Sequence, residues 1–431
     1  MNAYCPEEFF SRQELDTLQL SRLTDSVRRA ATSEFYARHF AEAGVTPSDI
    51  RSLEDVRRLP FTTKDDLRRA YPTKMLTMPV GDMVRLHASS GTTGSATVIY
   101  YTRRDLETWA DLVARCMHMV GIRPGDTFQN IAGYGLFTGG LGIHYGAERL
   151  GCLTIPAGAG NSRRQFKLLE DFQVAAIHII PSYALHLSSL FGEYGITPER
   201  LRHLRIALIG AEPHTDGARQ RIEEAFDLKA YNSYGLSEMN GPGVAFECQE
   251  QDGMHIWEDA YLAEIINPQS GEPAAEGEVG ELVITTLCRE GMPLIRYRTR
   301  DLTRFLPGEC ACGRAHRRLD RIVGRSDDML IVKGVNIYPM QVEKTLMSMP
   351  EVGQNYLIVL ERDGYLDQMR VKVEIKNEFF VEDMRELKQL QERIGAKLRD
   401  ELLITPRVDL VESNSLPKSE GKAQRVQDLR S

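Results

Sequence analysis

Ser89-Ser90-Gly91-Thr92-Thr93-Gly94 is a run of six residues whose side chains are either absent or hydroxyl-bearing. The apolar alternation Met83-Val84-Arg85-Leu86-His87-Ala88 precedes it, and Ser95-Ala96-Thr97-Val98-Ile99-Tyr100-Tyr101 follows. Both flanks read as strands. A strand–loop–strand turn of this make-up brings backbone N–H groups and hydroxyl donors toward one point, and its glycines let a ligand approach the backbone. That chemistry suits a phosphate. No G-x-x-x-x-G-K-[ST] pattern occurs in the chain and no lysine follows the run, so the loop is not that of the P-loop NTPases. Read alone, the run also fits a flexible Ser/Gly turn. Whether the chain supplies the other parts of a nucleotide site decides between the two.

The chain has 431 residues, enough for two or three domains around a large core. Its 42% hydrophobic and 26% charged residues are those of an ordinary globular protein. A net charge of −8 argues against nucleic acid or an anionic membrane as the main partner. No apolar run approaches the roughly 18–20 residues of a membrane span. The opening Met1-Asn2-Ala3-Tyr4-Cys5-Pro6 lacks the basic-then-apolar pattern of a secretory signal. Together with seven cysteines, an odd number, this predicts a cytoplasmic protein whose thiols serve metal ligation rather than a disulfide framework.

Residues 5–70 have helical spacing, with charges on the face opposite the apolar positions. From about 80 to 325, apolar strands at 152–155, 175–180 and 204–209 alternate with helical stretches at 163–172 and 183–194, an α/β pattern, and residues 278–287 read as a strand entering a β-rich section. A composition shift at Gly324-Arg325-Ser326-Asp327-Asp328 predicts a boundary between a large unit over 1–325 and a small one over 326–431. The small unit reads strand–helix–strand–strand–helix–strand, an α+β order.

Four clusters supply the further parts of a nucleotide site. Tyr234-Gly235-Leu236-Ser237-Glu238, read as lying just after an apolar helix, offers a ring to stack on a purine and a carboxylate for Mg²⁺, or else an ordinary solvated turn. Arg296-Tyr297-Arg298-Thr299-Arg300-Asp301 sets one carboxylate among cations, fit for ribose hydroxyls or for a local ion-pair network. Arg325 stands at the domain junction, within reach of phosphate or ribose. Leu416-Pro417-Lys418-Ser419-Glu420-Gly421-Lys422 is a loop near the C-terminus whose lysines alone signify little.

Taken in order, these motifs resemble the adenylate-forming superfamily of acyl-CoA synthetases, luciferases and peptide-synthetase adenylation domains. The chain is most similar to the phenylacetate–coenzyme A ligase family. The stretches carrying that likeness are Leu59-Pro60-Phe61-Thr62-Thr63-Lys64-Asp65-Asp66-Leu67, Tyr134-Gly135-Leu136-Phe137-Thr138-Gly139-Gly140-Leu141-Gly142, His144-Tyr145-Gly146-Ala147-Glu148 and residues 296–302. The resemblance implies an α/β fold with a large N-terminal adenylate-forming domain and a small mobile C-terminal domain. It implies ATP, Mg²⁺ and coenzyme A as reaction partners, a small aryl acid as substrate and a homodimer as the assembly. The implied reaction joins an arylacetic acid to coenzyme A through an acyl adenylate, releasing AMP and pyrophosphate. The alternative is an adenylating enzyme of another aryl acid or cofactor with a different acceptor; a non-enzymatic nucleotide sensor is disfavoured because Glu238, Asp301, Arg325 and Lys422 are all present.

By that resemblance Ser89, Ser90, Gly91, Thr92, Thr93 and Gly94 hold the β- and γ-phosphates. Gly210, Ala211, Glu212 and Pro213 meet the adenine, and Tyr234, beside Gly235, stacks on it. Ser237 and Glu238 serve the α-phosphate and Mg²⁺, Asp301 binds the ribose and Arg325 assists. Lys422 catalyses adenylation, Asp327 is the hinge of the small domain, and Lys333 and Gly334 are presented to coenzyme A. Ala132, Tyr134, Phe137, Gly139, Gly241 and Pro242 surround the acid. Two positions depart from the superfamily pattern: Ser95-Ala96 stand where many members have Pro-Lys, and Ala132 stands where the family commonly has tyrosine. The first leaves phosphate charge to be met elsewhere, and the second predicts a pocket for bulkier arylacetates such as indoleacetate.

A second constellation is independent of the nucleotide motifs. Cys310-x-Cys312-Gly313 is a tight thiolate pair, and Cys248 with His255 completes a set for tetrahedral zinc, His316 competing for the fourth place. Four protein ligands leave no open position, so such a zinc is structural. Unrelated buried thiols are the plain alternative.

Overall fold

Ser11 starts the first long helix with a capping box: the Glu14 N–H donates to its hydroxyl at 3.3 Å and the Glu14 carboxylate accepts the Ser11 N–H at 2.7 Å. The computed structural model describes residues 3–89, 97–333, 335–363, 366–379, 384–413, 415–416 and 425–430. Helices α1 (Arg12–Ala30), α2 (Glu34–Glu42) and α3 (Lys64–Arg69) form the expected N-terminal helical region. α1 buries Leu15, Leu23 and Val27 and ties itself to the β-rich section through Gln19, whose amide donates to the Tyr261 carbonyl at 3.0 Å.

Strands β1 (Arg85–Ser89) and β2 (Thr97–Tyr101) pair antiparallel with Ser89 opposite Thr97. Residues 90–96, which carry most of the Ser/Thr/Gly run, lie outside the described residues. After α4 (Arg103–Met119) the chain alternates β3 (Thr127–Asn130), α5 (Thr138–Leu150), β4 (Leu153–Ile155), α6 (Ser162–Asp171), β5 (Ala176–Ile179), α7 (Pro181–Ser189), α8 (Phe191–Tyr194), β6 (Ile206–Gly210), α9 (Asp216–Phe226) and β7 (Lys229–Leu236). These five strands are parallel in the order β4-β3-β5-β6-β7. The short apolar runs of β5 and β6 are wholly buried, as the centre of a parallel sheet covered by helices on both faces requires.

The sheet then turns antiparallel through β8 (Gly241–Glu247) and β9 (Met254–Ile256). β10 (Tyr261–Ile266), β11 (Gly280–Thr286) and β12 (Tyr297–Thr303) build a second, antiparallel sheet. β13 (Phe305–Leu306) and β14 (Arg318–Leu319) return to extend the first sheet to nine strands, and β15 (Gly324–Arg325) completes the second with four. Two expectations change here. The stretch 183–194 is two helices, because Leu190 adopts φ −94°, ψ −2° and its N–H closes a tight turn on the Leu187 carbonyl. Tyr234 lies within a strand, not just after a helix: Lys229–Leu236 is mixed in polarity yet buried between β6 and β8, so it shows no alternation.

Beyond β15 come the hairpin β16 (Leu330–Val332) and β17 (Val335–Ile337), then α10 (Pro339–Met347), β18 (Val352–Asp363), β19 (Leu366–Ile375), α11 (Met384–Leu402), β20 (Arg407–Val411) and β21 (Val426–Asp428). β20-β19-β18-β21 form a sheet, and a separate core runs from Val332 to Val408. The expected order is present with two additions, β17 and β21, each three residues long. Arg221 of α9 joins this unit to the rest, donating to the carbonyls of Met347, Met349, Val352 and Gly353 at 3.0–3.3 Å. Among the described residues no helix is long and apolar enough to cross a membrane.

Candidate active site

The switch in strand order between β3 and β5 fixes where a ligand can sit, because in such sheets the carboxyl ends of the parallel strands open a crevice. The loop 131–137 follows β3, Ala211-Glu212-Pro213 follows β6 and Ser237-Glu238 follows β7, so three predicted groups emerge from these strand ends.

Asp301 and Arg325 face each other as cross-strand partners on β12 and β15. The Arg325 guanidinium donates to one oxygen of Asp301 at 3.1 Å, and the Tyr234 phenol donates to the other at 2.6 Å. Burial raises the Asp301 carboxyl to about 6, against the lowering effect of Arg325 and the Tyr234 hydrogen bond. Burial, then the Asp301 charge, lifts the Tyr234 phenol well above its ordinary value, so it remains a donor. The other edge of Arg325 holds Asp327 in a bidentate pair at 2.8 and 2.9 Å.

Ser237 and Glu238 form one short turn, Ser237–Met239, between β7 and β8. Two bonds fix it: the Tyr101 phenol donates to the Ser237 carbonyl at 3.3 Å, and buried Arg289 donates to the Glu238 carbonyl at 2.7 Å. The Glu238 carboxylate is itself buried, and among the described residues the Lys64 ammonium is the cation within ion-pairing distance of it, at 3.8 Å. Burial and the neighbouring Glu238 charge hold the Tyr297 phenol well above its usual value. A single buried carboxylate beside the crevice fits Mg²⁺, which takes one or two protein carboxylates and fills its shell with phosphate oxygens and water. Lys64 and Arg289 were given no role from the sequence; the only signal was that Lys64 lies in a family stretch.

Gly210 ends β6 opposite Ser233, and a Cβ there would stand 2.4 Å from the Ser233 carbonyl oxygen. Ala211 follows with φ +68°, a strained value for a residue with a side chain. The Glu212 carboxylate accepts the Ser182 N–H at 2.6 Å. Across the crevice, Ala132 is buried while Phe137 is exposed. The Tyr134 hydroxyl accepts from the Asn130 amide at 3.0 Å and meets His144 Nδ1 at 3.3 Å. A side chain on Gly139 would meet open space, whereas one on Gly241 would meet Thr138 Oγ1 at 2.4 Å. Thr138 also reaches the Ser237 hydroxyl at 3.3 Å, and the Pro242 carbonyl accepts the Trp109 indole N–H at 2.8 Å, so the proposed acid and phosphate groups abut.

Lys333 stands at the β16–β17 turn with φ +51°. Gly334 and Lys422 lie outside the described residues, as do Ser90, Gly91, Thr92, Thr93 and Gly94.

Cys248, His255, Cys310 and Cys312 are brought together, all buried, with their ligand atoms within 4.8 Å of one another. His255 Nδ1 lies 3.0 Å from the His316 carbonyl oxygen, which orients Nε2 toward Cys312 Sγ at 3.3 Å. His316 does not compete. Its Nδ1 accepts the Glu258 N–H at 3.1 Å and its Nε2 lies 2.9 Å from the Glu7 carbonyl oxygen, so both nitrogens are spent.

The AMP-binding enzyme family matches residues 30–288, and the AMP-binding enzyme C-terminal domain matches residues 334–430. The chain is 46% identical to a phenylacetate-coenzyme A ligase of Thermus thermophilus over 99% of both chains. It is also 46% identical to one of Escherichia coli, over 99% of this chain and 97% of the relative. Among solved structures, 2-hydroxyisobutyryl-CoA ligase in a postadenylation state with an acyl-AMP is 32% identical, covers 98% of this chain and 91% of its own, and superimposes with a TM-score of 0.93. The same relative in its thioesterification state, with CoA, superimposes at 0.73. The arrangement of this chain is thus that of the postadenylation state of its relative. The chain belongs to the AMP-binding enzyme family, in the group of the phenylacetate–coenzyme A ligases.

Proposed function

We propose that this protein joins phenylacetate or a related arylacetic acid to coenzyme A through an acyl adenylate, releasing AMP and pyrophosphate. The observation that carries the reading is the 46% identity, over 99% of both chains, to the Thermus phenylacetate-coenzyme A ligase. The geometry supports it. Asp301, kept accepting by Arg325 and Tyr234, is suited to the ribose hydroxyls, and the Tyr234 ring, tethered through its hydroxyl, presents a fixed face to adenine. Gly210 to Pro213 border the base from the end of β6.

In the first half-reaction a carboxylate oxygen bonds to the α-phosphorus, the bond to the bridging oxygen of the β-phosphate breaks, and pyrophosphate leaves with that electron pair. Two anions must meet, so cations and fixed donors carry the catalysis. Glu238 is the proposed Mg²⁺ ligand; the ion when bound neutralises phosphate charge. By the family resemblance Ser237 is assigned to the α-phosphate, Ser89 to Gly94 to the departing phosphates and Lys422 to the attacking carboxylate. In the second half-reaction the coenzyme A thiolate attacks the acyl carbon and AMP leaves. We assign this step to a rotation of residues 326–431 about Asp327 that withdraws Lys422 and presents Lys333 and Gly334. The two states of 2-hydroxyisobutyryl-CoA ligase, matching this chain at 0.93 and 0.73, support a turning domain.

Cys248, His255, Cys310 and Cys312 are assigned a structural zinc ion, on their closeness, their burial and the orientation of His255. The unpaired cysteines fit a reducing cytoplasm. Ala132 widens the acid site in this reading. The test is pyrophosphate exchange over a panel of aryl acids that includes phenylacetate and indoleacetate. Exchange with arylacetates followed by CoA-dependent AMP release supports the reading; exchange with no CoA-dependent AMP release favours another acceptor, and no exchange removes it.

A further inference from the structure

All three carbonyls of the turn Ser237–Met239 are held by buried side chains. The Tyr101 phenol donates to the Ser237 carbonyl at 3.3 Å, the Arg289 guanidinium to the Glu238 carbonyl at 2.7 Å and the Tyr261 phenol to the Met239 carbonyl at 3.2 Å. Tyr101, Tyr261 and Arg289 are 0%, 1% and 2% exposed. Burial lifts both phenols above their ordinary value, Tyr101 to about 12, so each keeps its proton and donates. A backbone pinned at three successive carbonyls fixes the directions in which the Ser237 and Glu238 side chains leave it.

Arg289 is the member that burial should disfavour most, because a buried guanidinium is costly unless a carboxylate pairs with it. Its hydrogen bonds go to backbone carbonyls alone, from Nη1 to Glu238 at 2.7 Å and to Met292 at 3.5 Å. Its Nε and Nη2 have no hydrogen-bond partner among the described residues. The cation lies 4.8 Å from the centroid of the Tyr101 ring, and Tyr101 stacks in turn on Trp109 at 5.4 Å and 18°. The backbone around it is fastened as well. The Arg289 carbonyl accepts from Arg29 at 2.8 Å, and the N–H groups of Glu290 and Gly291 donate to the Asp105 carboxylate at 2.7 and 3.1 Å. A purely structural role would be met at lower cost by an apolar residue of similar size. What arginine adds is a charged donor on the carbonyl of the residue proposed to hold Mg²⁺.

We infer that Arg289 is a positioning residue of the adenylation half-reaction: through the Glu238 carbonyl it sets the Glu238 carboxylate for the Mg²⁺ that accompanies ATP, while Tyr101 and Tyr261 complete the grip on the turn. In this assignment it touches neither substrate nor metal. The inference rests on the adenylation reading, and the wild-type protein separates the two. Absence of acid-dependent pyrophosphate exchange in the wild type removes the reading itself.

Given exchange in the wild type, Arg289→Met should raise the Mg²⁺ concentration for half-maximal exchange about tenfold or more, the scale of losing a hydrogen bond that orients a metal ligand. Electron paramagnetic resonance titration of Mn²⁺ with ATP and protein, which needs no turnover, should show metal binding weakened to match. Arg289→Lys should recover part of the loss. The KM for phenylacetate and the thioester-forming rate from supplied phenylacetyl adenylate should stay within a few-fold. Added to Glu238→Gln, Arg289→Met should weaken Mn²⁺ binding by no more than about twofold further, because the two residues act as one unit. Tyr101→Phe deletes a single hydroxyl and should act in the same direction by about fivefold, the worth of one neutral hydrogen bond. Unchanged metal dependence in a folded Arg289→Met protein would overturn the inference, as would a full further loss on top of Glu238→Gln. If Arg289→Met does not fold, unchanged metal dependence in both Arg289→Lys and Tyr101→Phe overturns it.

Discussion

Tyr234 on β7 and Asp301 on β12 lie in different sheets, and their side chains meet at 2.6 Å, phenol donating to carboxylate. This bond ties the carboxyl edge of the parallel sheet to the antiparallel one and defines the proposed nucleoside site. Burial raises the Asp301 carboxyl to about 6, above the ~3.9 of an unfolded aspartate. The sign follows: the stability linked to this group is complete below about 4 and is lost as pH rises through about 6. Ribose binding runs the other way, because it needs the ionised acceptor. The KM for ATP should rise as pH falls below about 6. Asp301→Asn should raise it about tenfold or more at neutral pH, the worth of a hydrogen bond to a charged group, and flatten that inflection. Tyr234→Phe removes a bond that lowers the Asp301 pKa and should move the inflection upward. Steady-state ATP titrations from pH 5 to 8 check all three.

Arg221 closes the end of α10 by donating to four carbonyls, that of Met347 in the helix and those of Met349, Val352 and Gly353 beyond it. Hydrogen bonds from a charged donor are worth about 1.5–3 kcal/mol each, so Arg221→Ala should depopulate this domain arrangement by about tenfold or more. Pyrophosphate exchange should fall, thioester formation from supplied acyl adenylate should not, and X-ray scattering should show a changed envelope. An unaltered envelope with normal exchange contradicts the assignment.

The buried Cys/His cluster predicts one zinc per chain by elemental analysis, retained through gel filtration. Cys310→Ser or Cys312→Ser should lose the metal and lower the melting temperature by several degrees, since binding to a folded site adds to folding free energy. Pyrophosphate exchange per folded molecule should persist. Metal-free protein of undiminished stability contradicts the site.

Two glycines should differ in what they tolerate. A Cβ on Gly235 would stand 1.7 Å from the Gly241 carbonyl oxygen, backbone against backbone, so Gly235→Ala must force β7 and β8 apart. On Gly142 it would meet the Trp109 ring at 2.2 Å, side chain rather than backbone, though that ring is buried and its N–H is held by the Pro242 carbonyl. Overpacking costs about 1–3 kcal/mol, and in helix α5 about 1 kcal/mol returns from the propensity of alanine. Gly142→Ala should therefore remain folded with altered acid KM, whereas Gly235→Ala should unfold at markedly lower denaturant.

The α/β alternation was legible because buried parallel strands are short apolar runs between helices, as at Ala176–Ile179 and Ile206–Gly210. Asp301 and Arg325 were legible as motif residues, but their pairing was not, since it depends on the β12–β15 register. The strand carrying Tyr234 was hidden because its polar residues are buried by neighbouring strands rather than sorted to one face. His255 was separable from His316 only once both nitrogens of His316 were seen to be engaged. Lys64 and Arg221 act over 174 and 126 or more positions of sequence, to Glu238 and to Met347, and no local pattern signals that.

In the proposed reaction an arylacetyl adenylate forms first and is then passed to coenzyme A. Incubation with labelled pyrophosphate, ATP and phenylacetate, first without and then with coenzyme A, tests it most directly. Phenylacetate-dependent label should appear in ATP before coenzyme A is added, followed by phenylacetyl-CoA and AMP in equal amounts. Label incorporation that ignores the acid, or a thioester formed without AMP, contradicts it.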